Sequence, residues 1–314
     1  MRVLITGATG FVGTHLIRHL RQAEPVAEIV GTVHGHAPPA DGGEGPPARY
    51  VECDITAGGG ADVRALIRAT RPDHLYHLAG AATGAGQDRE AIFRANVEGT
   101  RLVMAAAAEE APLARLLFVS TGYVYGDCDP LRLATEEDAL RPSGLYAESK
   151  RDAEPYARAA GATVARAFNH TGPGQTTAFA VPAFAAQVAA IEGGAQPPEL
   201  RVGNLEARRD FLDVRDVVRA YHALMTRGEP GGVYNVCRGE AVPMRSLLDG
   251  LLALAAVPIR VVLDPDRMRP ADIKASVGDP SKLRARTGWG PEMPLAQTLR
   301  DTLDWWRGHL PAFP

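Results

Sequence analysis

Lysine is scarce in this chain, at positions 150, 274 and 282 only, against 31 arginines. The net charge is -3, so there is no basic excess of the kind that marks a nucleic-acid binder, and the arginines read as a compositional habit. Cysteine is equally rare. Cys53, Cys128 and Cys237 are odd in number and scattered, which fits neither a disulfide framework nor a zinc pattern. No apolar run approaches the roughly 20 residues of a membrane span, and MRVLITGATG has no long apolar leader segment. These absences point to a cytoplasmic protein with no metal, no membrane and no nucleic-acid partner. With 46% hydrophobic and 23% charged residues, the 314-residue chain is expected to be globular, with one or two domains and a substantial core.

One of the three lysines stands in a chemically loaded place. In SGLYAESKRDAE, Tyr146 and Lys150 are four apart in a run that reads as a helix, so one turn stacks phenol and ammonium on one face. A free phenol has a pKa of about 10. A cation about 4 Å away favours phenolate by up to ~4 kcal/mol at an effective dielectric near 20, enough to bring a tyrosine near 7. A general acid or base works best there. The pair alone also fits an ordinary surface tyrosine beside a surface lysine, and the surrounding chain has to decide.

Residues 2–6 (RVLIT) are a short apolar strand that breaks into GATGFVG, after which Val12, Leu16, Ile17 and Leu20 recur at helical spacing. Gly7, Gly10 and Gly13 thus sit in a strand–turn–helix, where glycines allow a tight turn and a pyrophosphate can meet the free N–H groups of a helix start. A second strand, EIVGTVH, ends at His34 with no acid at positions 33–35. An acid there would choose NAD by holding the ribose 2′-hydroxyl. Its absence leaves room for a 2′-phosphate and favours NADPH, although NADH remains possible because no arginine stands there either. Residues 35–49 are Gly/Pro-rich and read as a loop.

Further strands are expected at RYVECD, DHLYHLAG, RLLFVS and TVARAF, with helices at 61–69, 88–110 (containing Asn96) and YAESK between them. His74 and His77 would point to opposite faces of their strand, which argues against a shared metal. The alternation predicts an α/β fold, a Rossmann-like doubly wound parallel sheet with ligands at the carboxyl ends of the strands. After residue 169 the rhythm changes. NHTGPGQ is an irregular loop, 178–192 an alanine-rich helix, and GVYNVC a strand returning to the main sheet. LLDGLLALAAV reads as a core helix, RVVLDP as an extended piece, and 295–309 as the last helix. Residues 1–170, joined by 205–238, are expected to form the dinucleotide-binding domain, with 171–204 and 239–314 forming a smaller substrate-binding lobe.

With TGATGFVG, HLAG, STGYVYG and YAESK in this order, the whole chain resembles the extended short-chain dehydrogenase/reductase family. AFNHTGPGQ, VGNLEARRDFLDVRDVVRAY and RMRPADI resemble its GDP-sugar branch, which contains GDP-mannose 4,6-dehydratase and GDP-6-deoxy-4-keto-mannose reductase. The resemblance implies that Gly7, Thr9, Gly10, Phe11, Val12 and Gly13 wrap the cofactor phosphates. His34 would lie beside the adenosine ribose and Asp54 and Ile55 would border the adenine, while Leu78, Ala79, Gly80 and Ala81 line the dinucleotide's path and His170 lies near the nicotinamide. Thr121 would hydrogen-bond the reacting oxygen, Tyr146 would give the proton and Lys150 would hold the nicotinamide ribose. Tyr123, Asn169, Arg209, Arg269 and Asp272 are the implied substrate contacts, the arginines gripping a diphosphate in pairs of oxygens.

One departure discriminates among the branch's reactions. Its dehydratases carry Glu two residues before the Tyr of VYG, and here that position is Tyr123. The resemblance then implies NADPH-dependent reduction of the C4 ketone of GDP-6-deoxy-4-keto-D-mannose to GDP-D-rhamnose, with a 4,6-dehydratase or a 4-epimerase as alternatives. A redox-sensing regulator that binds dinucleotide without turnover would not need the Tyr146/Lys150 pair. A homodimer is the expected assembly, since family members pair through two helices each.

Overall fold

The computed structural model describes residues 1–35, 48–81, 88–129, 132–268 and 273–309. The first half runs β1 (Arg2–Thr6), α1 (Phe11–Ala23), β2 (Glu28–Val33), β3 (Arg49–Glu52), α2 (Ala61–Thr70), β4 (His74–His77), α3 (Arg89–Phe93), α4 (Gly99–Glu110) and β5 (Arg115–Thr121). It continues through α5 (Leu145–Ala159), β6 (Thr163–Ala167) and β7 (Asn169–Thr171). The second half comprises α6 (Ala180–Glu192), β8 (Glu199–Val202), β9 (Arg208–Asp213), α7 (Val214–Arg227), β10 (Val233–Val236) and β11 (Ala241–Pro243). It ends with α8 (Met244–Leu252), β12 (Arg260–Leu263), β13 (Ala275–Ser276), α9 (Ser281–Thr287) and α10 (Leu295–Gly308).

Seven strands form one sheet in the order β10-β6-β5-β4-β1-β2-β3, every neighbouring pair parallel. Alternate side chains divide between its faces as a pleated strand requires. Val3 and Ile5 join the cluster under α1 and α7, whose Leu16, Ile17, Leu20, Val217 and Leu224 cover that face. Leu4 points the other way, into the cluster formed with α2, α4 and α5. Both faces are thus buried, and the strand order reverses between β1 and β4, where a crevice opens at the carboxyl edge.

A third cluster gathers α6, α8 and α10 over β8, with Phe184, Val188, Leu200, Leu247, Leu248, Leu251 and Leu303 buried. The leucines of LLDGLLALAAV are therefore core, and the helix stops earlier than its composition indicates, at Leu252. β9 stands outside the main sheet, pairing with β7, β11 and β13. The expected 88–110 helix is interrupted: residues Arg94–Glu98 form a single π-helical turn between α3 and α4. Such a bulge re-aims a side chain, here Asn96, and bulges of this kind cluster at functional sites. Among the described residues no helix is long and apolar enough to cross a membrane, and no three His, Cys, Asp or Glu groups are placed to hold a metal. Cys53, Cys128 and Cys237 are free thiols.

Candidate active site

β1 delivers the chain to Gly7, whose φ of +72° is a left-handed conformation that costs side-chain-bearing residues energy. A Cβ there would lie 2.8 Å from the Ala79 nitrogen, and one on Gly13 only 2.4 Å from the Gly7 carbonyl oxygen. α1 then begins at Phe11, with no side-chain cap and no acid in its first turn. Its leading N–H groups are thus left to an outside anion. The facing strand end is held by Thr6, whose hydroxyl accepts from the Ala79 N–H at 3.2 Å and bonds His77 Nδ1 at 2.7 Å. Full burial pushes the His77 imidazole down to about 3, so it is neutral and bridges Thr6 to Thr100.

A cavity of about 380 Å³ lies over this edge. Gly10, Phe11, Val12, Gly13, Leu78 and Gly80 line its side formed by the glycine turn and the end of β4. Gly7, Thr9, Ala79 and Ala81 belong to the same two turns, and His34, Asp54 and Ile55 follow β2 and β3 along the same edge, all outside the cavity lining. Asp54 turns its Oδ1 inward to accept from the Thr56 N–H and hydroxyl, both at 2.8 Å, bonds that lower its pKa. β2 itself ends without an acid, as its residues indicate. The register that sets Val33 against Glu52, however, brings an acid from the neighbouring strand. Glu52 Oε1 accepts from the Gly35 N–H at 3.1 Å and lies 3.4 Å from His34 Nδ1.

The catalytic candidates Thr121, Tyr146 and Lys150 converge on the cavity floor. Thr121 closes β5, accepts from the Tyr123 N–H at 3.2 Å and shares a side-chain hydrogen bond with Tyr146. Lys150 is buried one helical turn beyond Tyr146. The expected depression of the phenol is not found. Burial pushes Tyr146 up to about 12, the nearby Tyr123 phenol adds to the rise, and the Thr121 bond only partly opposes it. Burial is the governing cause, and the Lys150 ammonium meanwhile donates from Nζ to the Val119 carbonyl at 2.9 Å and sits 4.9 Å over the Phe118 ring. Burial pushes Lys150 itself down to about 8, against the pull of Glu154.

A second cavity of about 500 Å³ adjoins the first, and the two share Tyr123, Asn169, His170, Gln175 and Phe179 as a common waist. At that waist Asn169 donates from Nδ2 to the Tyr123 hydroxyl at 2.9 Å. His170 stacks on Phe11, with ring centroids 6.2 Å apart. Arg209 lines the far cavity and is buried, one guanidinium nitrogen donating to the Arg208 carbonyl at 2.9 Å. Arg269 and Asp272 lie outside the described residues.

Several groups at the site have no short motif to announce them. Asn96 accepts from the Ala81 N–H at 2.7 Å and donates to the Ser149 hydroxyl at 2.9 Å, tying the β4 turn to α5. Its π turn is invisible to periodicity. Tyr221 of α7 brings a buried hydroxyl with no partner among the described residues to the first cavity. Arg201 and Asp266 line the second.

Comparison with known proteins adds a frame to this geometry. The family described as NAD dependent epimerase/dehydratase matches residues 3–237 of the chain. GDP-6-deoxy-D-mannose reductase of Pseudomonas aeruginosa is 34% identical over 318 aligned positions, covering 98% of both chains. GDP-6-deoxy-D-talose 4-dehydrogenase of Aggregatibacter actinomycetemcomitans is 27% identical, covering 90% of each. Among solved structures, RMD from Pseudomonas aeruginosa complexed with NADPH superposes with a TM-score of 0.80 at 32% identity, over 98% of this chain and 99% of that one.

Proposed function

The chain belongs to the NAD dependent epimerase/dehydratase family, and on that premise we propose that it is a GDP-sugar reductase. It reduces the C4 ketone of GDP-6-deoxy-4-keto-D-mannose to give GDP-D-rhamnose, with NADPH as reductant. The glycine turn fits the dinucleotide: its cradle is one that a Cβ at Gly7 or Gly13 would fill, and it leads into an uncapped helix start. When bound, the reduced nicotinamide supplies the hydride to C4. The protein's own residues manage the oxygen. Tyr146, held protonated at neutral pH by its burial, keeps its proton until an alkoxide develops and then transfers it. The phenol's O–H bond breaks as the new hydroxyl forms. Thr121, at the end of a rigid strand, offers a hydrogen bond at the same point. In this reading Lys150 holds the nicotinamide ribose and Arg209 the diphosphate, in the larger cavity that Arg201 also lines.

The observation that carries reduction over elimination is that the described residues lining the catalytic cavity include no carboxylate. Dehydration requires a base for the C5 proton, and the position where the branch's dehydratases carry Glu holds Tyr123, whose hydroxyl accepts from Asn169. Ketone reduction needs only hydride, a proton donor and a hydrogen bond to the oxygen. A cytoplasmic homodimer belongs to the same reading; the free thiols suit a reducing compartment, and sedimentation velocity tests the dimer. The test of function is to supply GDP-6-deoxy-4-keto-D-mannose with NADPH and identify the product by NMR. GDP-D-rhamnose in stoichiometric yield with NADPH consumed is expected; no oxidation of NADPH would refute the proposal.

A further inference from the structure

We propose that Gln175 is the residue that receives the nicotinamide carboxamide, its Oε1 accepting a hydrogen bond from the amide NH2. The side chain is 5% exposed and forms part of the waist where the two cavities meet. Its orientation is set on one side only. Nε2 donates to the His170 carbonyl at 3.2 Å, so the amide oxygen must be the group turned away, and that oxygen has no partner among the described residues. A buried acceptor left unpaired is costly, which marks it as awaiting a donor.

Two donors could come to the waist, a carboxamide N–H or a sugar hydroxyl, and the loop's anchorage favours the first. The segment carrying Gln175 is bound to the helix that starts at the glycine turn. His15 of α1 hydrogen-bonds the Pro173 carbonyl at 2.9 Å, and the His170 ring lies nearly parallel to Phe11, at 9°. Gln175 is therefore fixed to the dinucleotide side of the waist. The carboxamide NH2 is the one strong donor on the ring of a reduced nicotinamide. The assignment rests on the cofactor reading above and adds to it a way of recognising the reactive end, independent of the phosphate cradle.

The test compares NADPH with its reduced 3-acetylpyridine analogue, in which a methyl group replaces that NH2, by calorimetric titration of the full chain. The wild type is expected to bind NADPH about tenfold more tightly, the size of one buried hydrogen bond. Gln175→Met, of similar length and without the acceptor, should lose that tenfold for NADPH while its Kd for the analogue stays within twofold. Equal binding of both dinucleotides by the wild type overturns the assignment without any variant. So does equal weakening of both in Gln175→Met, which is the signature of a merely structural role. A raised KM for the sugar nucleotide with both dinucleotide Kd values unchanged gives the acceptor to a sugar hydroxyl instead. If neither dinucleotide binds the wild type, the cofactor reading itself fails and the assignment falls with it.

Discussion

The two cavities that meet at Tyr123 and Gln175 are built by different means. On the side proposed for the dinucleotide, Gly10–Gly13, Leu78, Thr121 and Ala167 all follow from the ends of adjacent parallel strands, fixed by the register of one sheet. The cavity proposed for the sugar nucleotide draws instead on α6, β8, β9, α8 and the 266–268 turn, segments far apart in the chain and carried by a separate hydrophobic cluster. The first is a cradle of backbone held at close approach, the second an assembly of side chains. Substitutions in one should therefore change cofactor affinity or chemistry, and those in the other sugar-nucleotide affinity alone.

The largest effect should come from the floor of the first cavity. Tyr146→Phe removes the proton donor and is expected to lower kcat by at least about 100-fold, within the 10²–10⁴ of general acid–base catalysis. NADPH affinity measured by titration should stay within twofold. A variant that keeps more than about a tenth of kcat, with chemistry rate-limiting, would remove Tyr146 from that role. On the sugar side, Arg209→Ala should raise KM for the nucleotide sugar by about 10- to 100-fold, as loss of charge-assisted bonds does, with the dinucleotide Kd unchanged. A shift in both constants would break the division between the cavities.

Smaller effects sharpen the dinucleotide side. Glu52→Gln removes the acid that β3 places beside His34 and Gly35. Because that carboxylate is exposed, only about a two- to threefold gain in NADPH affinity over NADH is expected, fading as salt is added. The smallest is a pH effect on the cofactor-free protein. Lys150 titrates near about 8 when folded and near the ordinary lysine value when unfolded. Between those values the unfolded chain holds a proton that the folded chain has lost, so this group makes stability rise with pH there. Buried Cys53, pushed up to about 11, works in the opposite direction. The difference in urea midpoint between wild type and Lys150→Met, followed from pH 7.5 to 9.5, should isolate the lysine's share; a difference independent of pH would contradict it.

What the chain discloses before folding follows the same division. Gly7, Gly13, Tyr146 and Lys150 are legible because a turn and one helical repeat are local geometry, and the parallel sheet is legible because buried strands alternate with helices. The ionisation of Tyr146 is not, because it is set by burial, which only the folded packing determines. Glu52 reaches the β2 end only through cross-strand register, and Asn96 reaches the β4 turn only through one widened helical turn. Gln175 sits in a quoted motif, yet its unpaired oxygen becomes visible only when its neighbours are placed.

The central claim is that this site reduces a 4-keto sugar and does not make one. Purified protein should be given GDP-mannose with a catalytic amount of NADP⁺ in one vessel, and GDP-6-deoxy-4-keto-D-mannose with NADPH in another, and both followed by NMR. Stoichiometric NADPH oxidation with a reduced 6-deoxy product in the second, and unchanged GDP-mannose in the first, is the predicted result. Multiple-turnover formation of the 4-keto-6-deoxy sugar from GDP-mannose would contradict it.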